Sequence, residues 1–181
     1  MYLQPEPADM KKNIAIPVFL FLTLWCLDKS CAQTQFDLPQ QIQLKSKEDY
    51  ARYETTVIGA AKWLESTDFD RYMDKRNQIN DFIIKWVSGS PNVTVNLDEP
   101  LARLTEKNPE LLALYVASYA RYTLENKRSP SNFYATKAGL TSISNVYKKG
   151  IDVSRSKLLE KLKDNARIEE YILKTLRIPK T

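Results

Sequence analysis

Four polar residues, Asp70, Asp74, Asn77 and Asp81, recur at spacings of four, three and four. At these spacings side chains share one face of a helix, so the pattern predicts a stripe rich in carboxylates. Carboxylate oxygens are ligands of hard cations such as calcium, which makes Asp70, Asp74 and Asp81 candidates for a metal site. A straight helix presents too few oxygens to surround the ion. We therefore favour a solvated face neutralised by nearby cations: Arg71, Lys75 and Arg76.

The stretch from Ser154 to Lys157 reads S-x-x-K, the spacing at which a lysine helps to activate the serine of penicillin-binding enzymes. Two further elements of those enzymes, S-D-N and K-T-G, are missing from the chain. A helix N-cap explains Ser154 or Ser156 more simply, so the pattern assigns no nucleophile.

The chain contains no histidine, and it has no glycine-rich phosphate loop. Histidine is the usual general base near neutral pH and the commonest metal ligand, so Ser-His-Asp triads and zinc-protease helices are excluded. We therefore assign no catalytic residue and expect no cofactor. Paired Asp or Glu side chains could still hydrolyse a glycoside, which keeps one class of enzyme open.

The net charge of +5 is concentrated at the carboxyl terminus. Residues 33–147 hold fourteen basic and fourteen acidic side chains, whereas residues 148–181 hold ten basic and five acidic ones. Leucines and isoleucines recur on one side of this last segment, which predicts a basic amphipathic helix. Such a helix can contact an anionic partner through these candidates: Lys148, Lys149, Lys157, Lys161, Arg167 and Lys174. Alternatively, its apolar side packs on the protein and the lysines maintain solubility.

Apolar residues at helical spacing predict the elements that position these side chains. A capping box at Ser46 begins the first helix, and Asn108 is predicted to cap the helix that starts at Pro109. Gly89 is predicted to be a C-cap with positive φ, and Gly150 is predicted to end a later helix. The predicted helices cover approximately residues 46–64, 69–88, 99–106, 109–126, 133–149 and 156–177, with a break near Asp164 in the last. We expect the helix that starts at Asn108-Pro109 to be central, because apolar residues cover most of its circumference.

The fold class predicted is all-α, a single compact bundle of five to seven helices over residues 46–181. Glycine is scarce and no segment is rich in β-forming residues. The Gln-rich residues 33–45 are interpreted as a flexible lead-in. Tyr115, Tyr119 and Tyr122 recur at helical spacing and are interpreted as the edge of the core, without a site.

The front of the chain predicts export. Two lysines precede a largely apolar run of fourteen residues, 14–27, a length that suits a secretory signal and is short for a membrane span. Ser30 and Ala32 then supply the small residues that signal peptidase needs. We predict a signal peptide over residues 1–32 with cleavage after Ala32.

Two details refine this prediction. The first nine residues carry two acids, so translation from Met10 gives a better basic start to the signal. Lipidation at Cys31 is the alternative, but Asp28 and Lys29 stand where a lipoprotein signal has apolar or small residues. Cleavage after Ala32 removes both cysteines, so the mature chain has to fold without a disulfide.

Three stretches, "AAKWLEST", "FIIKWVSGSPNVTV" and "ELLALYVASYARYTLENK", follow a Met-Lys-Lys signal in this order. In this arrangement the chain resembles an uncharacterised family of secreted helical proteins from Bacteroidota. The resemblance covers most of the mature chain. It implies an exported helical protein and transfers neither an activity nor a site residue.

These patterns favour an exported, non-catalytic protein that acts by binding or assembly in the periplasm or at the cell surface. A small carboxylate-dependent enzyme acting on envelope glycans is the alternative. The partners considered are an envelope protein, a glycan or an anionic lipid surface, and nucleic acid is not expected because of the location. A pocket lined by two or more carboxylates would favour the enzyme, whereas a tyrosine-rich or apolar patch would favour binding.

Overall fold

The computed structural model describes residues 1–2 and 36–180. Contacts divide the chain into Met1–Gln33 and Thr34–Thr181, and all of the described helices lie in the second unit. The predicted signal peptide, with the start at Met10 and the alternative lipidation at Cys31, falls almost wholly outside the described residues and stays a prediction.

The described residues form eight α-helices and no strand, which confirms the all-α prediction. No helix among them has the length and apolar character needed to cross a membrane. In chain order they are α1 Lys47–Arg52, α2 Glu54–Ser66, α3 Met73–Gly89, α4 Glu99–Thr105, α5 Glu110–Glu125, α6 Asn132–Lys149, α7 Lys157–Glu160 and α8 Asn165–Lys174.

The number of helices exceeds the predicted range by one because the first predicted helix is interrupted at Tyr53. This residue leaves helical geometry, with φ −94° and ψ 1°. Its ring packs edge-on against Phe82 in the core, and its hydroxyl donates to the carbonyl of Gln41 at 3.2 Å. The break near Asp164 was predicted and is found, since Asp164 caps the start of α8.

The α5 helix is the centre of the fold, as its apolar circumference predicts. It packs against α2, α3, α4 and α6, and most of its side chains are buried. Its contact with α6 is close at Gly139, where an added Cβ would lie 2.5 Å from a ring carbon of Tyr115 and 3.0 Å from the Tyr115 carbonyl oxygen. Glycine is required there because the two backbones approach too closely for any side chain.

The two glycines predicted as helix ends behave differently. Gly150 has φ 67°, the left-handed geometry of a C-cap, and ends α6 as predicted. Gly89 lies inside the last turn of α3, and Ser90 follows with φ −67°, so the prediction of a left-handed cap is wrong. At position 89 a Cβ would lie 2.0 Å from the Tyr50 hydroxyl, so any other residue there requires the Tyr50 side chain to move.

Asn108 does not cap α5, contrary to the prediction. Its buried side chain donates to the Ser154 carbonyl at 3.0 Å and accepts from the Ser154 amide at 2.6 Å. These two bonds attach the segment between α6 and α7 to the corner between α4 and α5. An asparagine side chain can do this because it carries a donor and an acceptor side by side.

Residues 36–45 form no helix, yet their apolar side chains lie on the core. Phe36, Leu38, Ile42 and Leu44 are partly buried against it. Whether this lead-in is flexible in solution stays a prediction. Residues 92–97, in which apolar and polar types alternate, form no strand in the described part of the chain, and Val93 is buried in the core.

Candidate binding cleft

An open cleft of about 500 Å³ lies beside the packed helices α5 and α6. Glu65 from α2 and Asn165 from α8 complete walls formed mainly by α5 and α6. A cleft of this volume is typical of small-ligand sites in proteins. We call it the tyrosine cleft, after the two tyrosines in its lining, Tyr122 and Tyr134.

One wall of the tyrosine cleft is aromatic. The rings of Tyr122 and Tyr134 have centroids 6.4 Å apart and planes inclined by 30°. Phe133, which is fully buried, packs edge-on against Tyr134 at 5.2 Å. Because Phe133 anchors the first turn of α6, the neighbouring Tyr134 ring is held in place at the surface.

The cleft is also lined by part of a chain of ion pairs and hydrogen bonds that joins α2, α5 and α6. Arg121 donates through Nε to Glu65 Oε1 at 3.2 Å and through Nη1 to Glu125 Oε2 at 2.8 Å. Ser142 also donates to Glu65 Oε1, at 3.3 Å, and Lys62 pairs with Glu125 at 2.9 Å. These groups compensate one another's charge, so this part of the lining is polar without a large charge excess.

The ion pairs with Lys62 and Arg121 favour the ionised form of Glu125. Partial burial tends to raise the pKa of Glu125, but the hydrogen bond from Lys62 and the charge of Arg121 outweigh it and hold the pKa below its ordinary value. A similar pair stands at the rim, where Lys137 contacts Glu169 at 2.5 Å. The hydrogen bonds from Lys137 and Lys180 lower the pKa of Glu169.

Several polar groups of the cleft are not used by the fold. Within the described part of the chain, the side-chain amides of Asn145 and Asn165 and the hydroxyls of Tyr122 and Tyr134 make no hydrogen bond. Glu65 Oε2 accepts none either, since all three contacts of this carboxylate fall on Oε1. The cleft therefore has both donors and acceptors free to meet a ligand.

Only one carboxylate lines the cleft, and it is already paired with Arg121. Most glycosidases need two carboxyl groups separated by roughly 5–10 Å, one of them protonated when the bond breaks. The arrangement around Glu65 lacks that pair.

The predicted carboxylate stripe does not form as one helix face. Asp70 lies in the turn before α3, because α3 begins only at Met73, and Asp74 and Asp81 are exposed on the helix. In residues 1–2 and 36–180 there is no group of three or more His, Cys, Asp or Glu side chains that could hold a metal ion. Arg76, predicted among the exposed cations, is buried instead.

The six candidates for an anionic partner are all exposed, but the structure brings only three of them together. Lys161, Arg167 and Lys174 line a shallow depression of about 210 Å³, which we call the basic depression. Glu170 accepts from Arg167 at 3.1 Å and from Lys174 at 2.9 Å. The other three candidates lie outside it, and Lys149 is paired with Asp68 at 2.8 Å.

The apolar side of the basic segment packs on the bundle, as the alternative interpretation proposed. Four of its residues are buried in the core: Leu159, Leu162, Ile168 and Ile172. In this conformation they are not available to enter a lipid bilayer. Ser156, within the S-x-x-K stretch, caps α7 by accepting from the Leu159 amide, as the N-cap interpretation expected.

The sequence pointed to only one of the residues that form the tyrosine cleft. Of the three tyrosines spaced along α5, Tyr115 and Tyr119 are core residues, and Tyr119 donates to Asn132 at 3.1 Å. Tyr122 lies in the cleft instead. Tyr134 and Arg121 were missed because their meeting depends on how α5 and α6 cross.

Comparison with protein-family models, with curated proteins and with solved structures finds no match to this chain. The resemblance to secreted helical proteins of Bacteroidota therefore stays a prediction. The side chains of the tyrosine cleft and of the basic depression are the remaining guides to function.

Proposed function

We propose that this chain is an exported, non-catalytic binding protein of the periplasm or cell surface, and that the tyrosine cleft is its ligand site. One observation carries the proposal: the cleft joins an exposed aromatic wall to polar groups that the fold does not use. Aromatic surface with a few convergent polar groups is the usual composition of a binding site.

The same cleft supports binding over the enzymatic alternative. Glu65 is its only carboxylate, and Arg121 and Ser142 already contact that group. Hydrolysis of a glycoside needs a second carboxyl group near the first, and no other described residue of the cleft lining supplies one. A small carboxylate-dependent glycosidase would have to use acids elsewhere on the surface.

Binding and turnover can be separated in one experiment. Processed protein and a Tyr122→Ala/Tyr134→Ala variant are used to capture components from the cell envelope, and the captured material is analysed for cleavage products. We expect wild-type protein to retain a component that the variant loses, with no products formed. Tyr72→Ala is the matched control, because Tyr72 is an exposed tyrosine outside the cleft. Equal capture by the cleft variant, or steady product formation, would refute the proposal.

The export part of the proposal has its own test. It is supported by the two lysines, the apolar run of residues 14–27 and the small residues before Gln33. Mass spectrometry of the native protein should find Gln33 at the amino terminus in the envelope or culture fraction. An intact residue 10 on a cytosolic pool would show that the protein is not exported.

A second function is favoured by the basic depression. Lys161, Arg167 and Lys174 surround a single carboxylate, Glu170, so the site keeps an excess of positive charge. We propose that it contacts anionic headgroups at a lipid surface through charge alone, because the apolar side of the segment is packed away. Deleting the segment would remove core residues, so charge reversal is the suitable variant.

The variant Lys161→Glu/Lys174→Glu should lose co-sedimentation with vesicles that contain anionic lipid. Wild-type protein should bind those vesicles, ignore neutral ones, and release as salt rises. Lys148→Glu/Lys157→Glu is the control. It changes the net charge by the same amount at two candidates for an anionic partner that lie outside the depression. If both pairs lower binding equally, the depression has no special role.

A further inference from the structure

We infer that the ligand of the tyrosine cleft is a neutral glycan, with one sugar ring placed against Tyr122 and Tyr134. This inference rests on the proposed function, because it names the chemistry of the same site. A sugar ring has an apolar face of C–H groups and a rim of hydroxyls. The cleft offers the matching pair of surfaces, one aromatic and one polar.

The charges of the cleft argue for a neutral ligand. Arg121 is already shared between Glu65 and Glu125, and Lys137 is paired with Glu169. An anionic ligand would have to break one of these pairs, and it would meet Glu65 as a like charge. The cleft therefore lacks the spare positive charge that the basic depression has.

The free polar groups argue for a ligand with many hydroxyls. Glu65 Oε2 can only accept, whereas the amides of Asn145 and Asn165 can both donate and accept. A hydroxyl satisfies either kind of group, and a sugar presents several at close spacing. A purely apolar ligand would remove water from these groups without replacing its hydrogen bonds, which costs binding free energy.

The shape of the cleft indicates part of a longer chain. It is open to solvent, and its lining follows α6 from Tyr134 in the first turn to Asn145 in the second half of the helix. A glycan can lie along such an opening with its ends in water. Each sugar that leaves the aromatic wall is then held by hydrogen bonds only.

The test uses soluble oligosaccharides and the processed protein. Neutral oligomers of glucose, mannose and N-acetylglucosamine are compared with oligomers of uronic acids by calorimetric titration. We expect at least one neutral series to bind and to bind more tightly than the anionic series. Tyr134→Ala should lower that affinity about tenfold or more, whereas Tyr134→Phe, which keeps the ring, should retain most of it.

Glu65→Gln adds a second readout. The amide keeps the size of the carboxylate but weakens its acceptance of ligand hydroxyls, so affinity for the neutral glycan should fall by about tenfold. Tyr72→Ala should leave affinity unchanged. Thermal unfolding of each variant shows whether the fold is kept, and the retention of binding by Tyr134→Phe separates ring contact from folding.

The outcomes separate this inference from the proposed function. If no neutral oligomer binds, or if uronic acids bind more tightly, the glycan assignment is wrong. If the envelope component that needs Tyr122 and Tyr134 is a protein or a lipid, the assignment also fails, while the proposed binding function stands. If the envelope capture shows no dependence on the cleft, both fail.

Discussion

Two arginines show how this fold uses the same side chain in different ways. Arg76, in α3, is 2% exposed and forms no ion pair among the described residues. Its Nη2 donates to the carbonyls of Thr67 and Asp68, each at 3.0 Å. Arg121, in α5, keeps 23% of its side chain exposed and contacts two carboxylates, Glu65 and Glu125.

The surroundings of Arg76 stabilise a buried cation without a carboxylate contact. The guanidinium carbon lies 4.8 Å from the Phe69 ring centroid and 5.7 Å from that of Trp63. Such faces attract a cation, and guanidinium is more weakly hydrated than ammonium. Burial still lowers the pKa of Arg76, while the more distant Asp68 and Asp70 oppose that change. Its Nε has no hydrogen-bond partner among residues 1–2 and 36–180.

The difference separates a structural role from the binding role that we propose for the cleft beside Arg121. Arg76 fixes the turn between α2 and α3, where Tyr72 adopts a left-handed backbone with φ 55°. A non-glycine residue in that geometry needs support from its surroundings. Arg121 supports no such turn, and its pairs stand at the edge of a cleft where a ligand can reach them. The buried charge of Arg76 therefore indicates a role in stabilising the fold. The partial exposure of Arg121 beside free polar groups is consistent with the proposed role in recognition.

Arg76→Ala should have the largest effect on stability. It removes two hydrogen bonds from a charged donor and leaves a cavity, so the free energy of unfolding should fall by about 3 kcal/mol. Chemical denaturation measures it. Arg76→Met keeps much of the volume and should fall between Ala and wild type. Arg71→Ala, at an exposed position nearby, is the control and should change little. A wild-type stability for Arg76→Met would show that the hydrogen bonds do not hold the turn.

Local rules explain what the sequence could predict. The capping box at Ser46 and the left-handed Gly150 depend on neighbouring residues, and both are found as predicted. Arg76 was placed among solvated cations because its spacing relative to the acids suggested a surface stripe. Its burial depends on Trp63 and Phe69, which the short turn before α3 brings onto it. Arg76 stands three residues before Ile79 and seven before Ile83, so helical spacing does place it on the buried face of α3, but spacing does not show which groups surround the charge.

The cleft was less predictable than the fold for the same reason. Spacing on α5 singled out Tyr122 together with two core tyrosines and could not separate them. Tyr134 and Glu65 become its neighbours only after α6 and α2 pack on α5. The surroundings of Gly89 were equally hard to predict, because the side chain that a Cβ at this position would meet, Tyr50, is far away in sequence.

Gly139→Ala should have the next largest effect, and it tests whether the cleft depends on the core below it. The new methyl group would collide with the ring and the carbonyl of Tyr115, so α5 and α6 must separate. We expect a loss of about 2 kcal/mol in unfolding free energy, measured by denaturation. Ligand binding should weaken too, because the neighbouring Ala138 lines the cleft.

Gly89→Ala is the matched comparison for Gly139→Ala. Its methyl group would meet the hydroxyl end of Tyr50, a side chain that can move, and not backbone. The loss of stability should therefore be smaller and binding at the cleft unchanged. Equal losses in the two variants would contradict a special closeness of α5 and α6 at Gly139.

Alkaline pH should weaken the fold through tyrosines near the α5 core. Burial raises the pKa of Tyr115, Tyr119 and Tyr171, with Asp98 adding to the effect at Tyr171. The folded state then holds protons that the unfolded chain releases above about pH 10. This stability is complete below that pH and is lost as the pH rises towards the folded pKa, by up to about 1.4 kcal/mol per pH unit for each such tyrosine.

Denaturation at several values between pH 8 and 11 measures this slope. Tyr171→Phe removes one titrating group, so its stability should fall less steeply with pH than that of wild type. It also loses the bond from the hydroxyl to the Pro100 carbonyl, which lowers stability at every pH without changing the slope. Parallel curves for the two proteins would contradict the assignment.

Arg121→Gln should have the smallest effect on stability and thereby sharpen the contrast with Arg76. Its pairs with Glu65 and Glu125 are partly solvated, so the unfolding free energy should change by less than about 1 kcal/mol. Capture of the envelope component should nevertheless fall, because Glu65 loses the partner that orients it and neutralises its charge. Arg128→Gln is the matched control. Arg128 is an exposed arginine seven residues further along the chain, and it forms no ion pair with the described residues. If Arg121→Gln strongly lowers the unfolding free energy and leaves binding unchanged, Arg121 has a structural role like that of Arg76. The interaction of Arg121 with Glu65 would then have no part in ligand recognition at the cleft.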